Sequence, residues 1–139
     1  MVLRSRKRIL VFHPHQPMVQ AQAALLNRHG YEVVAADSVI QMVLKLQAQE
    51  DSFDLLLVEC SNALKENPSN FVRFVKETQA CSLSVLMVNG MGANEVLDAG
   101  TAEGVPVMLT PEDIEHLLSV IIVVLDGGGA KESTASASA

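Results

Sequence analysis

The chain has 139 residues, of which 49% are hydrophobic and 19% are charged, and its formal net charge is −6 at pH 7. This length is enough for one domain with its own core and too short for two. The negative charge excludes a nucleic-acid binder that relies on its overall electrostatics. The low aromatic content, 4%, argues against a platform that stacks bases and against an aromatic-lined ligand cleft.

The two cysteines, Cys60 and Cys81, are not part of a CxxC pair, so we expect reduced thiols in a cytoplasmic protein. The apolar run 9–12 is too short to be the core of a signal peptide. The apolar stretch 117–125 is too short to span a bilayer. We therefore expect no membrane attachment. A basic cluster between Arg4 and Arg8 is interpreted as a solvated strand entry rather than a nucleic-acid contact.

Short apolar runs, bounded by turn residues, predict strands in five places. These are residues 8–12, 31–36, 53–60, 83–88 and 105–109. The third run has an acid near each end, Asp54 and Glu59, and only apolar residues between them. This pattern is typical of a strand that is buried on both faces of a parallel sheet. In such sheets chemistry takes place just beyond the carboxyl ends of the strands, where Glu59 would lie.

A helix is predicted after each strand from its apolar spacing and its end signals. The helices begin near Met18, Val39, Pro68 or Ser69, Ala93 and Pro111. Gly30 and Gly100 are interpreted as the glycines that end the first and fourth helices. Strands and helices that alternate in this way predict a doubly wound α/β domain with a five-stranded parallel sheet.

The last helix is predicted to run to Asp126, where three consecutive glycines stop it. Residues 128–139 are small and polar, so they cannot bury enough surface to fold. The sequence therefore predicts a domain over residues 1–127, followed by a disordered tail.

Four local patterns occur in an order that suggests a family. They are residues 7–12, residues 27–34 around His29-Gly30, the strand 54–59, and Asp98-Ala99-Gly100. In this order, residues 6–126 resemble the CheY-like receiver domain of two-component response regulators. The resemblance implies the flavodoxin-like topology with strand order 2-1-3-4-5, and a role in signalling.

Receivers accept a phosphoryl group on an aspartate at the end of the third strand. An acidic pair after the first strand helps this aspartate to hold Mg²⁺, and a Thr or Ser, a Lys and an aromatic residue respond to the phosphoryl group. The resemblance places Glu59 at the acceptor position, His13 and Pro14 at the acidic pair, Asn89 at the Thr or Ser, Thr110 at the Lys and Val107 at the aromatic residue.

These replacements remove the parts that phosphoryl transfer needs. Magnesium prefers oxygen ligands, chiefly carboxylates and water, and His13 and Pro14 supply no carboxylate. Without the metal and the lysine, nothing neutralises the charge on a transferring phosphoryl group. The resemblance thus implies a pseudo-receiver that needs no cofactor and is not an enzyme. Residual phosphorylation by a small donor is the outcome that would contradict this.

Two alternatives concern Glu59. Its carboxylate could mimic a phosphorylated aspartate, or it could be a polar strand end that is hydrogen-bonded to loop amides or solvent. Together with His13 and His15 it could also form a transition-metal site, which would make the protein a metal- or ligand-binding α/β domain. The ordinary reading of the histidines is that they are partly exposed loop residues. Cys60, next to Glu59, is interpreted as a buried thiol.

The last helix is apolar almost all round, although a helix that packs on one face of a sheet needs only one apolar stripe. The excess predicts an interface with a second copy or another protein, and the resemblance places it on the face that receivers build from the fourth helix, the fifth strand and the fifth helix. The alternative is a wide core. The predicted interface residues are Leu118, Ile121, Ile122, Val124 and Leu125.

Overall fold

In a computed structural model of the chain, residues 6–48, 52–61, 67–79 and 82–138 are described, with side chains as far as Gly127. The strands are β1 (Arg8–Phe12), β2 (Glu32–Ala36), β3 (Leu55–Glu59), β4 (Val85–Asn89) and β5 (Val107–Leu109). The helices are α1 (Gln16–Arg28), α2 (Val39–Gln47), α3 (Pro68–Gln79), α4 (Ala93–Glu103) and α5 (Ile114–Ser138). The chain divides after Leu109 into two compact units, so α5 belongs to the second.

All strand pairs are parallel, and the sheet order is β2-β1-β3-β4-β5. The crossover between β2 and β3 returns the chain to the other side of β1, as in a doubly wound fold. In the register, Leu10 of β1 lies between Val34 of β2 and Leu56 of β3. The predicted fold class and strand order are therefore confirmed.

The central strands are buried on both faces, as the apolar run of the third strand predicted. Leu55 and Leu56 of β3 point to opposite faces, and both are 0% exposed. One face carries a single core cluster, to which α2, α3 and α4 contribute Met42, Leu46, Val72, Val75, Val96 and Ala99. Helix α1 packs against β1 and β2.

A buried glutamine joins three elements at the amino-terminal edge of the sheet. Gln79, at the end of α3, is only 2% exposed. Its Oε1 accepts a hydrogen bond from the backbone N–H of Phe53 at 2.8 Å, and its Nε2 donates to the carbonyl of Leu46 at 3.1 Å. The amide thus satisfies two backbone groups that the helix and strand ends leave open. We find no signal in the sequence that singles out this residue.

Helix α4 is longer than predicted, because Gly100 does not end it. The helix continues to Glu103, and its cap is Gly104 in the left-handed conformation, φ +76°. Gly100 is buried inside the helix, and a Cβ there would meet the side chain of Val107 and lie 2.9 Å from the carbonyl oxygen of Val105. Glycine is required at this position for close helix–strand packing rather than for a cap.

Helix α5 begins at Ile114, so Pro111 is not its first residue as predicted. Asp113 instead precedes the helix, and its carboxylate accepts a hydrogen bond from the N–H of His116 at 2.9 Å, as N-capping residues do. The helix continues through the three glycines to Ser138. Glycine lowers helix propensity but, unlike proline, keeps its N–H donor. The domain boundary at residue 127 stays a prediction.

Candidate functional site

The carboxyl ends of β3 and β4 lie side by side and position the acceptor residue. Glu59 is in register with Asn89, and the N–H of Cys60 donates to the carbonyl of Asn89 at 2.8 Å. The structure thus brings together the acceptor position and the Thr or Ser position that the resemblance assigned. Neither of them carries the side chain that receivers use.

The Glu59 carboxylate is bound by its own chain. Its Oε1 accepts the backbone N–H of Ser61 at 3.1 Å, and its Oε2 accepts the Ser61 hydroxyl at 2.7 Å. The Ser61 Oγ in turn accepts the backbone N–H of Met91 at 3.0 Å. We call this chain of hydrogen bonds from Glu59 through Ser61 to Met91 the Glu59 bridge. It links the loop after β3 to the turn after β4 without any phosphoryl group.

Gly90 makes room for the Glu59 bridge. Its φ of +89° is in the left-handed region that side chains disfavour. A Cβ there would collide with the Glu59 carboxylate and lie 2.8 Å from the Ser61 hydroxyl. A residue other than glycine would therefore have to displace the carboxylate from its hydrogen bonds.

The acidic-pair position has no carboxylate, as the sequence shows, and its histidine is already bonded. The His13 N–H donates to the carbonyl of Ala36 at 3.2 Å. Its Nδ1 accepts the backbone N–H of His15 at 3.0 Å, so this ring nitrogen is not free to bind a metal. The two imidazole rings meet edge to face, with centroids 6.4 Å apart.

Partial burial lowers the pKa of His13, and the negative charge of Glu59 opposes this effect while His15 adds to it. The neutral imidazole is thereby favoured, which suits its role as an acceptor for the His15 N–H. Within the described residues, no three His, Cys, Asp or Glu side chains form a group that could hold a metal ion. The alternative site of His13, His15 and Glu59 therefore finds no support.

Cys60 is 0% exposed, which confirms the predicted buried thiol. Burial, aided by the charge of Glu59, raises the pKa of Cys60 to about 12. A thiol that stays protonated is a poor nucleophile, so Cys60 lacks the chemistry of a redox sensor. Cys81 lies outside the described residues.

Val107, at the position of the aromatic residue, is partly buried and packs against the core cluster. Thr110, at the lysine position, begins the second unit. Its Oγ1 is buried and has no hydrogen-bond partner among the residues that the structure describes.

The described residues of the basic cluster differ in their exposure to solvent. Arg6 and Lys7 are exposed, whereas Arg4 lies outside the described part of the chain. Arg8 is bound by Glu32, with Nε 3.2 Å from Oε2, and its guanidinium lies 5.1 Å from the centre of the Phe53 ring. The side chain of Arg8 therefore packs at the amino-terminal end of the sheet, although the sequence predicted a solvated position.

The predicted interface residues on α5 fall into two groups. Ile121 and Leu125, one turn apart, are buried, as is Leu117. Ile122 is 39% exposed, while Leu118 and Val124 are of intermediate exposure. Val123, which was not among the predicted residues, is 66% exposed. The interface formed by these residues stays a prediction.

No protein-family model matches the sequence, and no curated protein matches it. Solved structures do. A CheY-like response regulator receiver domain protein from Methanospirillum hungatei JF-1 is similar with a TM-score of 0.68 at 18% identity, over 91% of this chain and 99% of that chain. The signal receiver domain of a response regulator from Bermanella marisrubri reaches 0.66 at 22% identity, over 88% and 100%. The chain has the receiver fold.

A structure described as an adenylate cyclase from Rhodopirellula baltica is also similar, with a TM-score of 0.68 at 14% identity over 94% of this chain and 98% of that chain. A structure that is named as an enzyme is thus as similar to this chain as the structures named as receiver domains. The fold alone therefore does not assign an activity. Within the described part of the chain, no helix combines the length and the hydrophobicity that crossing a membrane requires.

Within this receiver fold, the residue that sequence reasoning missed is Ser61. The resemblance places a hydroxyl residue of receivers at the Thr or Ser position after the fourth strand, where this chain has Asn89. The structure supplies it from two residues after Glu59 on the same loop. The local signal in the sequence is a serine two residues after the strand-end acid Glu59.

Proposed function

We propose that this protein is a pseudo-receiver: a signalling module that works without phosphorylation and acts by binding another protein. The receiver fold supports a regulatory role, since receivers generally act through contacts with other proteins. We propose no enzymatic activity, and a cytoplasmic location remains an expectation from the sequence.

The observation that carries the proposal is the Glu59 bridge. In a receiver the acceptor carboxylate must be open to the phosphoryl donor and must help to hold Mg²⁺. Here both oxygens of Glu59 accept hydrogen bonds from Ser61, and the nearby His13 supplies no carboxylate. The bridge also holds the Met91 end of the β4–α4 turn, so one arrangement of this turn is stabilised by the chain itself.

Treatment with acetyl phosphate and Mg²⁺ should leave the mass of the protein unchanged. The reason is that an occupied carboxylate without a metal site or a lysine cannot support the charge of the transferring group. Intact-mass spectrometry under denaturing conditions is the measurement. A receiver with an intact acceptor aspartate and acidic pair, treated in the same tube, serves as the positive control.

Glu59→Gln separates the outcomes of this experiment. An adduct of one phosphoryl group on the natural chain that disappears in Glu59→Gln would contradict the proposal, because it would show that Glu59 is an acceptor. An adduct that persists in Glu59→Gln would report modification elsewhere and would leave Glu59 inactive, as proposed.

We further propose that the partner binds the exposed apolar residues of α5, the helix that belongs to the interaction face of receivers. Val123→Asp places a charge at a 66% exposed position and should weaken partner binding or self-association at least about tenfold, because burying an unpaired charge in an apolar contact costs more than about 1.4 kcal/mol. Ser119→Asp, an exposed polar position on the same helix, is the matched control and should change nothing.

Sedimentation at several protein concentrations, with a pull-down from the native extract, is the measurement for this pair. If Val123→Asp and Ser119→Asp behave alike in both assays, α5 is not the interaction surface. Circular dichroism of both variants shows whether the fold is intact, so a loss of binding can be attributed to the surface.

A further inference from the structure

The imidazole of His13 makes a hydrogen bond that is open only to its neutral form. Its Nδ1 accepts the backbone N–H of His15, the residue that precedes α1, at 3.0 Å. A backbone N–H can only donate, so Nδ1 carries no proton in this arrangement. When an imidazole takes up a proton, both of its nitrogens become donors. Protonation of His13 therefore breaks its hydrogen bond to His15.

The same imidazole lies next to the carboxylate at the centre of the Glu59 bridge. Phe12 and Val58 are the last paired residues of β1 and β3, and His13 and Glu59 are the residues that follow them. Neighbouring strands are about 4.8 Å apart, so the two side chains leave the sheet side by side. Both are partly buried, and the negative charge of Glu59 acts on the imidazole.

The Glu59 bridge draws the carboxylate away from His13. Strand β3 lies between β1 and β4 in the sheet. The bridge continues from Ser61 to Met91 beyond β4, and a Cβ on Gly90 would collide with the carboxylate. The carboxylate therefore lies on the β4 side of its strand, whereas His13 follows β1 on the other side.

The two sides offer Glu59 donors of different strength. Ser61 is exposed and offers a neutral N–H and a neutral hydroxyl. A hydrogen bond from an imidazolium to a carboxylate is charge-assisted, and it is about twice as strong as one between neutral groups. Once His13 is protonated, it is therefore the stronger donor for the carboxylate.

We propose that His13 is an acid-sensitive switch for the Glu59 bridge. The protonated imidazole draws the Glu59 carboxylate from Ser61 toward β1, and the Ser61 hydroxyl no longer holds the N–H of Met91 in one place. The turn after β4 is thereby released in acid. This inference rests on the proposed function in one respect, namely that the bridge, rather than a phosphoryl group, fixes this turn.

The groups around His13 determine the pH at which the switch responds. Partial burial opposes protonation most, Glu59 at the end of β3 favours it, and His15 on the same loop opposes it. Strand β2 contributes the carbonyl of Ala36, which accepts the His13 N–H, and the carboxylate of Asp37 follows it. The net effect is a pKa of His13 below its ordinary value of 6.5, so the bridge is intact at neutral pH.

Nuclear magnetic resonance of the full chain, titrated from about pH 8 to about pH 5, tests the switch. In this range imidazole is the side chain whose ordinary pKa lies within reach. The backbone amide signal of Met91 should shift together with the ring signals of His13, with a common midpoint below 6.5. The amide of Gly104, at the other end of α4, should not follow this transition.

Four variants assign the transition to its residues. His13→Gln keeps an acceptor for the N–H of His15 but does not titrate, so the Met91 shift should be lost. His15→Gln, the matched control, should keep this shift and raise its midpoint, because a like charge is removed. Glu59→Gln should lose the Met91 shift while His13 still titrates, at a lower midpoint, because the opposite charge is gone. Asp37→Asn should keep the shift.

Three results would overturn the proposal. They are a Met91 amide that does not shift between the two pH values, a shift that persists in His13→Gln, and a shift that persists in Glu59→Gln. Spectra of the variants at pH 8 show whether each is folded, and the titration of the natural chain does not depend on them. Because no partner or phosphoryl donor is present, a failure here leaves the proposed pseudo-receiver standing. A phosphoryl adduct on Glu59, which would contradict that proposal, is detected in the separate mass measurement.

Discussion

Gly90→Ala should lower the free energy of unfolding by about 3 kcal/mol, measured by urea denaturation at pH 7. Left-handed backbone costs an alanine about 1–2 kcal/mol. The added Cβ also occupies the place of the Glu59 carboxylate, as the geometry at Gly90 shows. Displacing Glu59 breaks its hydrogen bonds to Ser61, and because these are exposed to solvent they add about 0.5–1.5 kcal/mol.

Gly30→Ala is the matched control. Gly30 has nearly the same φ, +94°, and no atom lies within 4 Å of the position of its Cβ. It should show only the backbone cost of about 1–2 kcal/mol. Glu59→Ala should add little to Gly90→Ala, because the carboxylate has already lost its hydrogen bonds. Equal losses at Gly30 and Gly90 would show that the Glu59 bridge contributes no stability.

Gln79→Met should lower the free energy of unfolding by about 3 kcal/mol, with thermal and urea unfolding as the measurements. Methionine fills a similar volume but makes no hydrogen bond to Phe53 or Leu46. Two buried backbone groups are then left without partners, and each such group costs about 1–3 kcal/mol. The loss comes from hydrogen bonding rather than from a cavity.

Gln47→Met makes the same chemical change at an exposed position at the end of α2. It should change the free energy of unfolding by no more than about 0.5 kcal/mol. If Gln79→Met lowers the free energy of unfolding as little as Gln47→Met does, water replaces the amide. The hydrogen bonds from Gln79 to Phe53 and Leu46 then contribute no stability. The difference between the two variants is therefore the relevant quantity.

The fold follows from features that a sequence carries locally. Strands such as β3 are continuous apolar runs because helices cover both faces, and alternation with amphipathic helices leaves few topologies. The ends of the helices are harder to predict from the sequence. Gly100 has the residue type of a cap, but its neighbour Val107 is distant in sequence and explains the glycine. Asp113, by contrast, was an available capping residue, and the proline before it obscured the helix start.

The site was predictable to the extent that each position could be matched along the chain. Glu59 and Asn89 do lie together, because parallel strands end at the same edge. The partner of Glu59 was not predictable, since whether a flexible serine turns toward a carboxylate depends on the loop geometry. The role of Gln79 was not predictable for a similar reason. Whether a polar side chain is buried depends on backbone groups, distant in sequence, with which it can form hydrogen bonds.

Cys60 gives the protein a built-in probe of its own motion. Because burial raises the pKa of Cys60 to about 12, the thiol stays protonated at pH 8, and the closed sheet hardly reacts with an alkylating reagent. Alkylation then proceeds through transient states in which the end of β3 opens and the thiol regains its ordinary acidity. In a Cys81→Ser background, the labelling rate of Cys60 measures how often the edge that carries Glu59 comes apart, without any introduced label.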